Sequence, residues 1–463
     1  MNTVALVPEM LRWFIFLLML VVTADVRAAA PPGATVLDPS ILWDPICADS
    51  AAVSPDGKWI AYVSKGAIWT CSVTAGPPKK LVDLPSTITD FLTRPENQEA
   101  RDKFAFVAPH PGLQPLPHLR GQIQQFFGLD WTLQQDGLTY TLHRNTEDPR
   151  VRAYEVKFVS REGKVTNVAS IERDWPLTPD SFTSFHVTAD KKHVVASSFG
   201  VPLIWNATTN KPQATCFDYL RPSSTSDRFL GVEIDTRELV LVDNKFQVLK
   251  RFSVTFNQRR RCDLFWSPNE KLAVCRSFLE HPSDEWEGFR IDLVSDEVRK
   301  LEVGLQSDRF VFPAKGDEII RIGRSITPRG GYADGSNGTF IELILTGNEA
   351  PRTLVQFVRA PLATDNYRNH RWYPPVVANS EGTLFAIALP RPDDKKRGYH
   401  FHLVDRNENQ WPLQPVNESI YYTPYLPIAF ANNDQTLVAR SADQLFSIPT
   451  AAIQEGKENG HEE

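Results

Sequence analysis

Ala52-Val53-Ser54-Pro55-Asp56-Gly57-Lys58-Trp59-Ile60-Ala61-Tyr62-Val63 is the stretch that decides the fold. Pro55 presets φ for the first turn position, Asp56 accepts local backbone bonds, and Gly57 takes φ > 0 at no steric cost. Alternating strand-forming residues stand on both sides, so the spacing predicts a β-hairpin. After Lys65-Gly66 a third strand follows at Ala67-Ile68-Trp69, and a short fourth at Lys80-Leu81-Val82 completes the unit.

Weaker copies of this unit recur. Trp131-Thr132-Leu133 turns through Asp136-Gly137 into Leu138-Thr139-Tyr140, with Tyr154–Phe158 as third strand. Phe185-His186-Val187 turns through Asp190-Lys191-Lys192 into Val194-Val195, and Leu203-Ile204-Trp205 follows. Further units start near Phe229, Phe265, Val311, Val376 and Ile428. Second-strand positions fall near 60, 139, 194, 230, 273, 320, 384 and 437. Propeller blades of four strands need about 40–50 residues each, and inserted loops lengthen them. A sandwich also supplies many strands but gives no reason for one turn-plus-strand order to return so often. Radial repetition does, because each sheet buries both faces against neighbours.

The predicted fold is therefore all-β: a β-propeller over 51–450, of eight four-stranded blades, with seven as the alternative count. The widest gap between units contains Lys103-Phe104-Ala105-Phe106-Val107, and Leu116, Leu119, Ile123 and Phe126 follow at helical spacing. This predicts a short helical insertion near 91–128. Ring closure is expected from residues 29–50, with Ser40-Ile41-Leu42-Trp43 pairing to the incomplete last blade. The acidic tail 451–463 is expected to be disordered.

Residues 1–28 read as a signal peptide. Arg12 is the positive flank, Trp13–Val22 is the apolar segment, and Val26-Arg27-Ala28 or Val22-Thr23-Ala24 ends it. That run is about half of the roughly 20 residues that span a bilayer. The expectation is a secreted or periplasmic protein with no membrane insertion once the leader is removed. With 42% apolar and 23% charged residues, core material is ample, and 35 prolines and 24 glycines argue for many turns. A net charge of −6 disfavours coating DNA or anionic lipid, so no nucleic-acid partner is expected.

The run Ser54–Val63, with Ile68-Trp69 after it, resembles the TolB-like β-propeller repeat, and Trp266-Ser267-Pro268-Asn269-Glu270-Lys271-Leu272 is a degraded second copy. Leu203–Lys211 looks like the strand and turn of a WD-type repeat. The resemblance implies the fold and is nearly silent on function. Only about 20 residues separate the leader from the first blade, so the N-terminal domain of TolB itself has no counterpart and its role does not carry over. The peptidase setting of such propellers implies a hydrolase domain with Gly-x-Ser-x-Gly, which this sequence lacks. A stand-alone exported propeller is the setting that fits.

No catalytic motif emerges: there is no nucleophile elbow, no phosphate-cradling Gly-rich loop, no HExxH and no CxxC. His400 and His402 alternate around Phe401 on a third strand and could ligate a metal if His370 converged on them, but packed or solvated strand histidines are the plainer reading. The 330–338 segment superficially suggests a calcium loop, yet it offers one carboxylate and reads better as a hairpin loop. Neither a metal nor a cofactor is expected. Arg259-Arg260-Arg261, between the fourth and fifth units, could grip carboxylates or sulfates bidentately, against a solvated connector. Of five cysteines, Cys262 and Cys275 flank the turn at 267–271. A cross-strand disulfide is one reading and two buried free thiols the other. The functional expectation is a non-enzymatic scaffold that binds a protein or polymer through loops on one face. A propeller-type lyase, lactonase or glycan-processing enzyme, with its site at the central channel, is the alternative.

Overall fold

A computed structural model of the chain describes residues 33–39, 41, 51–74, 76–85, 125–145, 151–174, 184–197, 202–256, 261–278, 285–301, 304–305, 309–315, 319–325, 339–346, 352–359, 376–390, 399–407, 409–413, 426–440 and 444–451. The fold is an all-β propeller. Among the described residues, seven blades each consist of four consecutive antiparallel strands, and an eighth sheet is composite and closes the ring. The count of seven thus covers the blades drawn from consecutive strands. Blade 5 carries one extra short strand, Gly304–Leu305, on its third strand.

In chain order, the inner strands of blades 1–7 are Ala51–Val53, Gln125–Trp131, Ser184–Val187, Phe217–Pro222, Arg261–Trp266, Arg309–Val311 and Val376–Ala378. That of the closing blade is Leu426–Ala431. Each blade packs against the next around the ring, and the closing blade packs against blade 1.

Burial explains why the strands are apolar on both faces. In the second strand of blade 1, Trp59–Ser64, every residue after Trp59 is buried. Ala61 and Val63 join Leu129, Leu138 and Tyr140 of blade 2. Ile60 and Tyr62 point the other way, to Ala431, Val438 and Leu445 of the closing blade. The same split recurs in blade 3, where Val194 and Ala196 meet blade 2 and Val195 meets blade 4. Because side chains alternate sides with period two, one strand serves two seams.

Closure differs from the expected segment. Thr35–Asp38 pairs antiparallel with Leu445–Pro449, aligning Thr35 with Ser447 and Asp38 with Leu445, and it forms the outer edge of the closing blade. Pro39 stops this strand because it has no N–H to donate. Of Ser40–Trp43, only Ile41 is described, and it is buried beside Leu37, Tyr62 and Leu445. The expected helical insertion is also corrected at its described end. Phe126 lies in strand Gln125–Trp131 and stacks on Tyr140 at 5.9 Å, so its apolar side serves a sheet. Leu116, Leu119, Ile123 and Lys103–Val107 fall outside the described residues, as do the leader and residues 452–463.

Candidate binding face

A four-stranded meander sends its first and third connections to one face of the ring. The second connection and the blade-to-blade link emerge on the other. Here the two faces are built differently.

The first face is made of tight turns. Connections 54–58, 132–136, 188–192, 267–271 and 379–383 each hold five residues between strands. They share one hydrogen-bonding frame. In blade 1 the Ser54 hydroxyl donates to Asp56 Oδ1 at 2.5 Å and accepts from the Trp59 amide, while the Lys58 amide donates to Asp56 Oδ1. Thr188 and Asp190 repeat this in blade 3, and Ser267 and Asn269 in blade 5. In blade 7 Asn379 alone accepts from the Thr383 and Leu384 amides. Burial alone would raise the Asp56 and Asp190 carboxyls, but bonds from the neighbouring hydroxyl and amide hold both below the ordinary carboxylate range.

Adjacent turns are tied to one another. Lys191 of blade 3 pairs with Asp136 of blade 2 at 2.7 Å, and Asp227 of blade 4 accepts from the Ala189 amide of blade 3 at 2.9 Å. Glu270 of blade 5 accepts from Ser223, Thr225 and Arg228 of blade 4. Lys315 of blade 6 pairs with Glu381 of blade 7, and the Asp434 carboxylate of the closing blade accepts from the Ser380 amide and hydroxyl of blade 7. The Asn432 amide then donates to the Gly57 carbonyl of blade 1 at 2.9 Å. Isolated surface pairs contribute little, but a linked series of part-buried contacts fixes relative positions. This face is a stitched girdle.

The strand ends at Asp83, Ser325, Arg359, Pro390 and Leu413 lie at the opposite face, and the stretches 86–124, 326–338, 360–375, 391–398 and 414–425 that follow in the sequence fall outside the described residues. Of the sequence-derived candidates, Arg261 and His400 lie toward this face. Arg259 and Arg260 belong to the link between blades 4 and 5 and lie outside the described residues. Arg261 begins the inner strand of blade 5, opposite Phe278. His370 belongs to the 360–375 link, also outside the described residues. His400 and His402 sit on the third strand of blade 7, opposite Leu389 and Ile387, with His400 nearer this face. Among the described residues, no three His, Cys, Asp or Glu side chains gather where they could hold a metal ion.

Cys262 and Cys275 are free thiols. The disulfide reading is corrected by register: Cys262 faces Ser277, and Cys275 faces Leu264. The two are diagonal neighbours, and diagonal Cα atoms lie about 7–8 Å apart, beyond the usual disulfide span. Both belong to the apolar seam between blades 4 and 5. Burial pushes the Cys262 thiol up to about 12 and the Cys275 thiol well above its ordinary value.

Sequence reading missed the residues that key blades together. Trp131 and Trp266 each end an inner strand, and their indole N–H groups donate to Ala52 O and Arg221 O of the preceding blade. The shared position before the turn hydroxyl, Thr132 or Ser267, was the available signal. Between blades 1 and 2 the Arg161 guanidinium lies 5.5 Å from the Trp131 ring and 5.9 Å from that of Trp59.

No protein-family model matches the chain, and no curated protein matches it either. Among solved structures, dipeptidyl peptidase 4 of Porphyromonas gingivalis is 10% identical, with 89% of this chain and 61% of that one covered at a TM-score of 0.46. The β-propeller domain of Cps50 (Swd1) of Myceliophteria thermophila is 8% identical, covering 91% and 99% at 0.38. That of the Trilobed protease from Pyrococcus furiosus is 10% identical, covering 71% and 93% at 0.39. These superpositions are loose. The chain's own strand pairing defines it as a β-propeller.

Proposed function

We propose that this chain is an exported, non-enzymatic β-propeller scaffold that binds a protein or polymeric ligand through the long connections of one face. The observation that carries this reading is the asymmetry between faces. Turn-to-turn hydrogen bonds tie one face together, and the strand ends that lead into the long stretches 84–124, 326–338, 360–375, 391–398 and 414–425 all lie at the other. Loops on a stiff frame present contacts at low ordering cost. The Ser54–Gly57 turn supports a TolB-like reading of the repeat, and residues 1–28 supply the export signal in this proposal.

The test compares three forms of the mature chain against a panel of envelope proteins and acidic or neutral polysaccharides, by biolayer interferometry. One form is native, one has 326–338, 360–375 and 391–398 shortened to tight turns, and one carries Lys58→Ala with Glu162→Ala on the stitched face. The expected result is a ligand that the native and stitched-face forms bind and the shortened form does not. Equal binding by the shortened form, or loss in the stitched-face form, refutes the reading. Stoichiometric divalent metal that disappears in His400→Ala, with turnover of a polysaccharide, moves the assignment to the enzyme alternative.

A further inference from the structure

Blades 3 and 4 meet across four rings. His186, in the inner strand of blade 3, lies edge-on to Phe229 of blade 4, with centroids 5.7 Å apart and planes at 86°. Phe229 contacts Phe246 at 5.5 Å, and Phe246 meets His193 of blade 3 at 5.3 Å and 89°. Phe246 holds φ of 62°, a left-handed conformation that is costly for a bulky residue. Its ring fills the seam, so packing offsets the strain.

His186 Nε2 and His193 Nδ1 are enclosed and have no hydrogen-bond partner. A neutral imidazole tolerates this, because one ring nitrogen is a bare acceptor. An imidazolium does not. It carries N–H at both nitrogens, and the added proton would be a buried donor facing apolar rings. The charged groups on the packed elements do not relieve this. Burial pushes His186 down to about 4, Asp227 pulls the other way, and Arg221 adds to the push. Arg228, in the same turn as Asp227, is engaged by Glu270. Around His193 stand Asp190 and Lys192 of its own turn, and Asp243 and Lys245 lie in the turn that carries Phe246.

We propose that the seam between blades 3 and 4 is an acid-sensitive joint, at which protonation of His186 parts the two blades. The seam between blades 4 and 5 shows the contrast, since its buried cluster contains no histidine. The sign follows from the shift. His186 titrates at the ordinary 6.5 when the seam is open and at about 4 when it is closed. The closed seam is therefore fully favoured above 6.5 and weakens as pH falls toward 4. At about pH 5 the opening constant rises roughly twenty-fold over its value at about pH 7.

Hydrogen exchange on the full chain tests this at about pH 7 and pH 5, with intrinsic rates corrected for pH. Amides of His193–Ser197 and Phe229–Glu233 should open roughly twenty-fold more at the lower pH. Those of Thr436–Arg440 in the closing blade serve as reference and should change far less. In His186→Leu the selective rise should disappear. A flat wild-type response overturns the proposal, as does an equal rise in all blades or a full rise in His186→Leu. If that variant does not fold, His186→Asn is read by the same criteria.

Discussion

The closing strand provides the sharpest quantitative prediction. The Tyr62 hydroxyl of blade 1 donates to Asp38 Oδ2 at 2.6 Å, joining the closing strand to the neighbouring blade. Tyr62 is fully enclosed and Asp38 is only 8% exposed. Burial first, and then the bond to Asp38, raise the Tyr62 phenol, which therefore stays protonated as a donor. A hydrogen bond to a charged acceptor contributes about 1.5–3 kcal/mol, and removing one partner leaves the other desolvated. Tyr62→Phe and Asp38→Ala should each lower stability by about that amount. A double-mutant cycle should show coupling of about 1–2 kcal/mol, because the second substitution no longer breaks an intact bond. The measurement is urea denaturation of the four proteins at neutral pH. Hydrogen exchange on Leu445–Pro449 then locates the loosening, since these residues pair directly with the closing strand. Additive effects, with coupling below about 0.5 kcal/mol, would show that the strand is held without this bond. Leu37→Ala sets the apolar scale: Leu37 is 4% exposed, and its truncation should cost about 2–5 kcal/mol.

Three further outcomes are expected. Gly57 holds φ of 68°, and a Cβ there would lie 3.0 Å from the Asn432 amide nitrogen of the closing blade. Gly57→Ala should cost about 1–2 kcal/mol, and a midpoint equal to that of the native chain in denaturant melts would contradict the account. Iodoacetamide at about pH 8 should label exposed Cys216 quickly while Cys71, Cys262 and Cys275 stay protected until denaturation. Reductant should leave the melting temperature unchanged, and a fall would expose a disulfide. Finally, the Asp190 carboxyl is held below its ordinary range, so the stability it supplies is present above that range and lost as pH falls through it. Asp190→Asn should therefore be less stable at neutral pH, yet lose less on acidification below about pH 4. Parallel pH profiles would argue against the turn frame.

The repeat was legible because its chemistry is local. Ser54, Pro55, Asp56 and Gly57 each act within five residues, and the turn they predict is the one observed. Phe126 misled because an apolar residue at helical spacing says nothing about its partner, and here the partner is Tyr140 on the next strand. The cysteines left two readings open, a disulfide and two buried free thiols, and the free thiols are observed. Near-symmetry about a turn resembles pairing, but a two-residue offset turns opposite neighbours into diagonal ones.

By itself, the sequence determined the strand period, the tight turns and the apolar character of both sheet faces, since turn preference and alternation depend on neighbours in the chain. Tertiary structure alone decided which strand closes the ring, which turns interlock and which histidines share a seam. Those contacts join residues as distant as Asp38 and Leu445, whose meeting depends on the summed geometry of every blade between them.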